Sequence, residues 1–187
     1  MFADFLLAGF RRRRQRKAEA GRLYGLLVRQ TRQPAFYRDL GVPDSFDGRF
    51  DLLVLHAYLL FRRLRGDKPH GPALAQAVFD TMFADMDIVL REQGVGDMAI
   101  GKKIKAMAQA FYGRVKAYDE SFRGDDTALA AALARNVYAG KVDAPHAAEL
   151  ARYCRTTDAA LAQADFTALA AGAFSFLPWS GPARLAS

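Results

Sequence analysis

A stretch of seven residues has the spacing of a phosphate-binding loop. Residues 96–102 read G-x-x-x-x-G-K, an arrangement in which backbone amides and a lysine hold phosphate oxygens. That motif requires a strand before it and a Ser or Thr after the lysine to bind magnesium. Here a helical pattern precedes the motif, and Lys103 stands at the hydroxyl position. We therefore interpret the glycines as helix punctuation and predict no nucleotide and no other cofactor.

Four carboxylates that are close in sequence raise the alternative of a metal site or an acid–base pair. They are Asp80, Asp85, Asp87 and Glu92. Asp87 precedes Arg91 by one helical turn, and the other acidic side chains point in different directions around a helix. This spacing favours ion pairing on a helix surface over a site.

The remaining candidates for chemistry are dispersed along the chain: His56, His70, His146 and the single cysteine, Cys154. Their spacing is not that of metal ligands, and no serine or cysteine stands in the sequence context of a nucleophile. We predict no catalytic residue, no metal ligand and no small-molecule substrate, and we interpret His56 as a buried core residue. The sequence therefore indicates a protein that binds and is not an enzyme.

One predicted helix has a basic face. Apolar residues recur at three- and four-residue steps over residues 100–122, which places them on a single stripe. Three lysines lie on the opposite face, with an arginine and a tyrosine at its edge. A solvated surface is one interpretation; contact with an acidic partner, or with nucleic acid at the ribosome, is the other. The predicted partner-binding residues are Lys102, Lys105, Tyr112, Arg114 and Lys116.

The amino terminus combines an apolar segment with a run of arginines. Residues 1–17 contain six basic residues against Asp4, so they carry most of the net charge of +7. Apolar residues on one helical face followed by arginines are typical of an anchor at the surface of an anionic membrane. A solvated terminus is the alternative. The predicted anchoring residues are Phe2, Phe5, Leu6, Phe10, Arg11, Arg12, Arg13 and Arg14.

Helical patterns position these residues. The periodicity predicts helices over residues 17–33, 45–64, 127–138 and 145–164, and two more that meet at the glycines of residues 94–97. Residues 50–61 are apolar nearly all round, which predicts a central helix, with Asp44 or Asp47 as its cap. A short helix and a tail packed through Phe176 and Trp179 are expected near the end. The predicted fold is an all-α compact bundle of about six to eight helices around this central apolar helix.

Composition limits the class of protein. A chain of 187 residues is long enough for one domain with a substantial core. Its longest apolar segment is too short to span a bilayer, and one cysteine cannot form an intramolecular disulfide. We predict a basic amphipathic arm at residues 1–17 and a helical domain at residues 18–187. The domain divides into a core at residues 18–122 and an alanine-rich extension at residues 123–187.

Three segments resemble one known family. Residues 83–97, FADMDIVLREQGVGD, and residues 100–118, IGKKIKAMAQAFYGRVKAY, are similar to the ubiquinol-cytochrome c chaperones, as are residues 37–53, YRDLGVPDSFDGRFDLL. The resemblance implies assistance in assembling the cytochrome bc1 complex, with newly made cytochrome b or bc1 assembly intermediates as partners. It also implies a cytoplasmic location, peripheral to the inner membrane. The matching family positions are Gly101, Lys102, Lys105, Phe111, Tyr112, Gly113 and Arg114. A basic nucleic-acid-binding or ribosome-binding module without a bc1 role is the alternative.

Overall fold

The computed structural model describes residues 2–140, 144–179 and 181, with the side chains of residues 2–8, 144 and 145 outside the description. This part of the chain forms helices and contains no strand, so the all-α prediction is confirmed. The eight helices described are α1 (Phe2–Thr31), α2 (Pro34–Arg38), α3 (Phe46–Leu64), α4 (His70–Glu92), α5 (Asp97–Ser121), α6 (Asp126–Val137), α7 (Ala144–Gln163) and α8 (Phe166–Ala170).

The central helix of the bundle is α3. Its residues 50–60 are all buried, and it contacts α1, α4, α5, α6 and α7. The prediction that Asp44 or Asp47 caps this helix is wrong. The hydroxyl of Ser45 accepts a hydrogen bond from the amide of Gly48 at 3.1 Å, while Asp44 pairs with Arg49 at the surface. Serine performs this capping role as well as aspartate does.

Two glycines allow the chain to pack closely at the ends of α3. A Cβ added at Gly48 would lie 2.0 Å from the carbonyl oxygen of Pro43, and one at Gly71 would lie 1.9 Å from that of Leu64. Any side chain at either position would displace the backbone. These contacts fix how the preceding loop and the start of α4 approach the central helix.

The hinge between α4 and α5 has the structure of a helix C-cap followed by a new start. Gly94 adopts a φ of 78°, and the amide of Val95 donates to the carbonyl of Leu90 at 3.1 Å. This is the hydrogen bonding of a Schellman motif, in which glycine avoids the strain of a left-handed residue. Gly96 is the N-cap of α5, and as a glycine it provides no side-chain hydrogen bond to cap the helix. Asp97 contacts Arg91 across the hinge.

A buried polar network ties the carboxyl-terminal segment to the bundle. The side-chain amide of Gln30 donates to the hydroxyl of Tyr153 and to the carbonyl of Leu177, each at 2.8 Å. Nε2 of His56 lies 2.9 Å from the same tyrosine hydroxyl. Phe176 and Trp179 are both buried beside this network. The predictions of a core histidine and a packed tail are therefore confirmed.

The first helix is longer than the sequence indicated. A helix over residues 17–33 was expected, whereas α1 begins at Phe2 and ends at Thr31. Its second half contributes Leu23 and Leu27 to the core, and the helix contacts α3, α4 and α8. The basic residues of the arm therefore belong to the same continuous helix as these core residues.

Candidate functional site

A groove lies beside the amino-terminal half of α3, with walls from α1, α2 and α4. Its volume is about 270 Å³, slightly below the range of about 300–1,000 Å³ usual for small-molecule sites. The size favours insertion of one or two large side chains from a bound segment. Its apolar lining is formed by Val28, Phe46, Phe50, Leu53, Met86 and Val89.

Two tyrosine hydroxyls at the rim of the groove already have partners. The hydroxyl of Tyr24 donates to Asp85 at 2.6 Å, and that of Tyr37 donates to the carbonyl of Thr31 at 2.6 Å. Burial, and then the hydrogen bond to Asp85, raises the pKa of Tyr24 well above its ordinary value. Because both hydroxyls already donate hydrogen bonds within the protein, the groove offers an occupant mainly its apolar floor.

Met86 and Val89 are the two apolar groove residues that α4 supplies. Both are half-buried, so part of each side chain is open to a ligand. Methionine is flexible and polarisable, and it adapts to apolar partners of different shapes. Sequence periodicity alone does not identify them as groove residues, because it shows which face of a helix is apolar but not how completely a neighbour covers that face.

The lysine face of α5 lies as predicted, on the side away from the core. Lys102, Lys105 and Lys116 are exposed, whereas Phe111 and Tyr118 on the opposite face are buried. Only Lys116 approaches a described carboxylate, that of Glu120 at 4.0 Å. Exposed pairs of this kind contribute little to stability, so the three ammonium groups are available to a partner.

Tyr112 is an exposed aromatic beside this face. It is 59% exposed, and its ring centroid lies 5.6 Å from that of Phe79 and 5.7 Å from that of Phe111. The neighbouring rings hold its orientation while leaving much of its surface open. An amphipathic side chain presented in this way is common in binding surfaces.

Arg114 does not join the exposed face. Its Nη2 lies 2.7 Å from Oδ1 of Asp51 on α3, and its guanidinium lies 5.8 Å from the ring centroid of Phe50. Burial raises the pKa of Asp51 to about 6, against the lowering effect of Arg114. The structure thus places Arg114 at the contact between α3 and α5, and we omit it from the partner-binding surface.

The predicted membrane-anchoring residues all lie on α1. Phe10 is 70% exposed, and Arg11, Arg12, Arg13 and Arg14 are exposed. The side chains of Phe2, Phe5 and Leu6 lie outside the described part of the structure. Across the helices of that part, none combines the length and apolar character needed to cross a bilayer.

Three of the four carboxylates have structural partners, whereas Glu92 is exposed, and the cysteine is buried. Asp87 pairs with Arg91 as predicted. Asp80 accepts a hydrogen bond from Gln76, and Asp85 binds Tyr24 in place of the ion pair that its position on a helix surface predicted. Burial raises the pKa of the Cys154 thiol well above its usual range. Within the described residues, no group of His, Cys, Asp or Glu is arranged to hold a metal ion.

The motif of residues 96–102 does not form a phosphate-binding loop. The helix α4 precedes it, and α5 begins at its second residue, Asp97. Gly101 and Lys102 consequently lie within a helix, where their backbone amides bond to earlier carbonyls. The interpretation of the glycine at position 96 as helix punctuation agrees with its place as the N-cap of α5.

Comparison with known proteins identifies relatives across most of the chain. The sequence profile described as Ubiquinol-cytochrome C chaperone matches residues 38–176. Protein CBP3, mitochondrial, of Saccharomyces cerevisiae is 32% identical over 148 residues, which are 76% of this chain and 44% of that protein. Ubiquinol-cytochrome c reductase complex assembly factor 1 of Mus musculus is 29% identical over 134 residues, 72% of this chain and 45% of that protein. The chain thus spans less than half the length of these two relatives.

A solved structure is similar over most of the chain. The crystal structure of the Cbp3 homolog from Brucella abortus is similar to this protein with a TM-score of 0.80 and 38% sequence identity. The similarity covers 92% of this chain and 96% of that one. The profile match includes α3, α4 and α5 entirely, and these are the helices that build the floor of the groove and the lysine face.

Proposed function

This chain belongs to the ubiquinol-cytochrome c chaperone family, and from that premise we propose that it assists assembly of the cytochrome bc1 complex by binding newly made cytochrome b at the membrane surface. The profile match over residues 38–176 is the observation that carries the proposal. The relative from Mus musculus is named as an assembly factor of the ubiquinol-cytochrome c reductase complex.

The groove beside α3 is the proposed client site. Newly made membrane segments expose apolar side chains, which gain free energy when an apolar surface removes them from water. Met86, Val89 and Phe50 offer such a surface within a groove of about 270 Å³. One or two large client side chains would fill it, and the rest of the segment would lie along the rim. Weak, adaptable contacts of this kind permit the client to be released during assembly.

Binding, with no chemical step, accounts for this site. The acidic side chain of the groove, Asp85, accepts a hydrogen bond from the hydroxyl of Tyr24, and the raised pKa of that tyrosine keeps the proton on its hydroxyl. A neutral phenol bonded to a carboxylate is a poor nucleophile and a poor base. The geometry therefore supports a chaperone that holds its client through apolar contacts.

The lysine face and Tyr112 form a proposed second surface, for an acidic partner protein or an acidic segment of the client. Lys102, Lys105 and Lys116 give it three positive charges on one side of α5. Charge complementarity of this kind raises the rate of encounter more than the final affinity. The surface would therefore help to capture a partner, while the groove would retain the client.

Replacement of the groove floor tests the client site. In a strain lacking this protein, we expect the wild type to restore the bc1 complex and the double variant Met86→Gln/Val89→Thr to restore less than about a third of it. Both substitutions keep side-chain volume close to the original while adding polar groups. Ile88→Gln is the matched control, because Ile88 lies on the same helix, is 52% exposed and does not line the groove. Equal bc1 levels with both folded variants would contradict the proposal.

A further inference from the structure

A second cleft, separate from the client groove, lies between α1, the amino end of α4 and α8. Its volume is about 580 Å³. Three arginines of α1, Arg12, Arg16 and Arg22, line it together with one carboxylate, Glu19. Glu19 accepts a hydrogen bond from Gln15 at 2.9 Å on the helix surface. The cleft therefore has a net positive charge and can hold an anion.

Arg16 is the central residue of this cleft. It is half-buried, whereas its neighbours Arg12 and Arg13 are exposed. It lines this cleft and also a smaller one on the other flank of α1. No ion pair joins Arg16 to any described carboxylate. Glu19 and Asp80 line the two clefts, but neither pairs with Arg16, so its partly desolvated guanidinium would gain a direct charged contact from a bound anion.

The amino end of α4 adds a favourable dipole at the same place. His70, the first residue of this 23-residue helix, lines the cleft. The first turn contains no acidic residue, and Pro69 at the N-cap makes no side-chain bond. The partial positive charge of a helix start is usually offset by such groups. Here the amide of Gly71 donates to the carbonyl of Asp67 at 2.7 Å, and the rest of the partial charge is left to favour an anion that the arginines hold.

The floor of the cleft is apolar. Leu74 and Ala170 are buried beneath it, and Phe166 is half-buried at its side. A free phosphate ion would use only the arginines, whereas a phospholipid has an anionic headgroup and apolar chains to contact both kinds of surface.

We propose that this cleft binds the headgroup phosphate of an anionic phospholipid, with Arg12 and Arg16 as its ligands and the apolar floor beside Phe166 toward the acyl chains. A guanidinium can donate two parallel hydrogen bonds to a phosphate. The contact would fix the orientation of α1 on a bilayer, which general attraction to anionic lipids does not. The inference deepens the membrane part of the proposed function and rests on it. The phosphates of RNA would also bind the arginines, but RNA has no acyl chains to contact the apolar floor.

Vesicle binding with matched charge variants tests the proposal. Arg12→Gln/Arg16→Gln removes two charges from the cleft, and Arg11→Gln/Arg14→Gln removes two from the same helix outside the cleft lining. On vesicles with 30% phosphatidylglycerol in phosphatidylcholine, we expect the cleft variant to bind about tenfold more weakly than the control, the value of one strong charge-assisted contact. Equal weakening of both variants would overturn the cleft and leave only general electrostatic attraction.

A soluble lipid removes the effect of the membrane surface. Monomeric dihexanoyl-phosphatidylglycerol should raise the melting temperature of the wild type and of Arg11→Gln/Arg14→Gln by mass action, and leave that of Arg12→Gln/Arg16→Gln unchanged. Glycerol phosphate should give a smaller rise than the lipid. An equal rise with both compounds would show a site for phosphate alone. A 20-nucleotide RNA could also compete with the vesicles for the protein. If it does so with the wild type and the control variant but not with the cleft variant, the cleft would be assigned to RNA.

Failure of this inference can be distinguished from failure of the membrane proposal. A variant lacking residues 2–17 should lose vesicle binding whether the arm acts through the cleft or through general attraction. Unchanged vesicle binding by that variant would overturn both. If that variant loses vesicle binding while the two charge variants bind equally, only the cleft proposal would be overturned.

Discussion

Nη2 of Arg114 lies 2.7 Å from Oδ1 of Asp51, which joins α5 to the central helix α3. Burial raises the pKa of Asp51 from 3.8 to about 6. On the same helix, burial lowers the pKa of His56 from 6.5 to about 4. Folding therefore makes Asp51 easier to protonate and His56 harder to protonate. As pH falls, the two groups therefore change the free energy of unfolding in opposite directions.

The substitution Asp51→Asn should expose the contribution of His56. As pH falls from about 6.5 to about 4, His56 destabilises the fold, because the unfolded chain binds its proton more readily. Asp51 stabilises the fold as pH falls from about 6 to about 4, because its proton is bound more tightly in the folded state. Without Asp51, the free energy of unfolding should decline more steeply over this range than in the wild type. Urea unfolding at several pH values measures this, and parallel profiles would contradict it.

The hinge glycines should differ in their tolerance of substitution. Gly94→Ala should lower the free energy of unfolding by about 1–2 kcal/mol, because its φ of 78° is unfavourable for any residue with a Cβ. Gly96→Ser is the control: its φ is −63°, an added Cβ would meet nothing within 4 Å, and serine is favoured at an N-cap. Thermal or urea denaturation compares the two. Equal destabilisation would indicate that the left-handed conformation of Gly94 is not what stabilises the hinge.

The lysine face can be altered without disturbing the core. Lys102→Glu/Lys105→Glu/Lys116→Glu changes three exposed residues, each expected to shift stability by about 0.5 kcal/mol. Circular dichroism should show a folded protein, yet bc1 assembly should fail if this face captures a partner. Phe111→Ala provides the contrast. Phe111 is 2% exposed, so its truncation should lower stability by about 3–5 kcal/mol. Full bc1 levels with the folded triple variant would remove this face from the mechanism.

Sequence patterns predicted the helices well because each has a continuous apolar stripe. The run of apolar residues in α3 marked it as central, and its residues 50–60 are all buried. Predicted helix starts were less accurate, since Ser45, Asp44 and Asp47 are all competent caps and only the local backbone selects one of them. Sequence patterns also divided α1 near residue 17, because the run of arginines interrupts its apolar pattern, whereas the helix is continuous from Phe2 to Thr31.

The candidate sites were harder to predict than the fold. Arg114 and Lys116 are two residues apart and both basic, but only Arg114 meets a buried carboxylate, Asp51, which lies on another helix. Met86 and Val89 belong to the apolar stripe of α4 and differ from core positions only because the neighbouring helices leave them partly uncovered. Both distinctions depend on tertiary packing, which a periodic pattern does not contain.

Site-specific photo-crosslinking tests the central claim most directly. A benzophenone amino acid would replace Met86 in the groove or Ile88 on the exposed side of α4, in cells that are making cytochrome b. Of these two positions, only 86 lines the groove. Illumination should therefore crosslink cytochrome b to the protein substituted at position 86, with little product at position 88. The absence of a cytochrome b adduct at position 86, while that protein still restores the bc1 complex, would contradict the account.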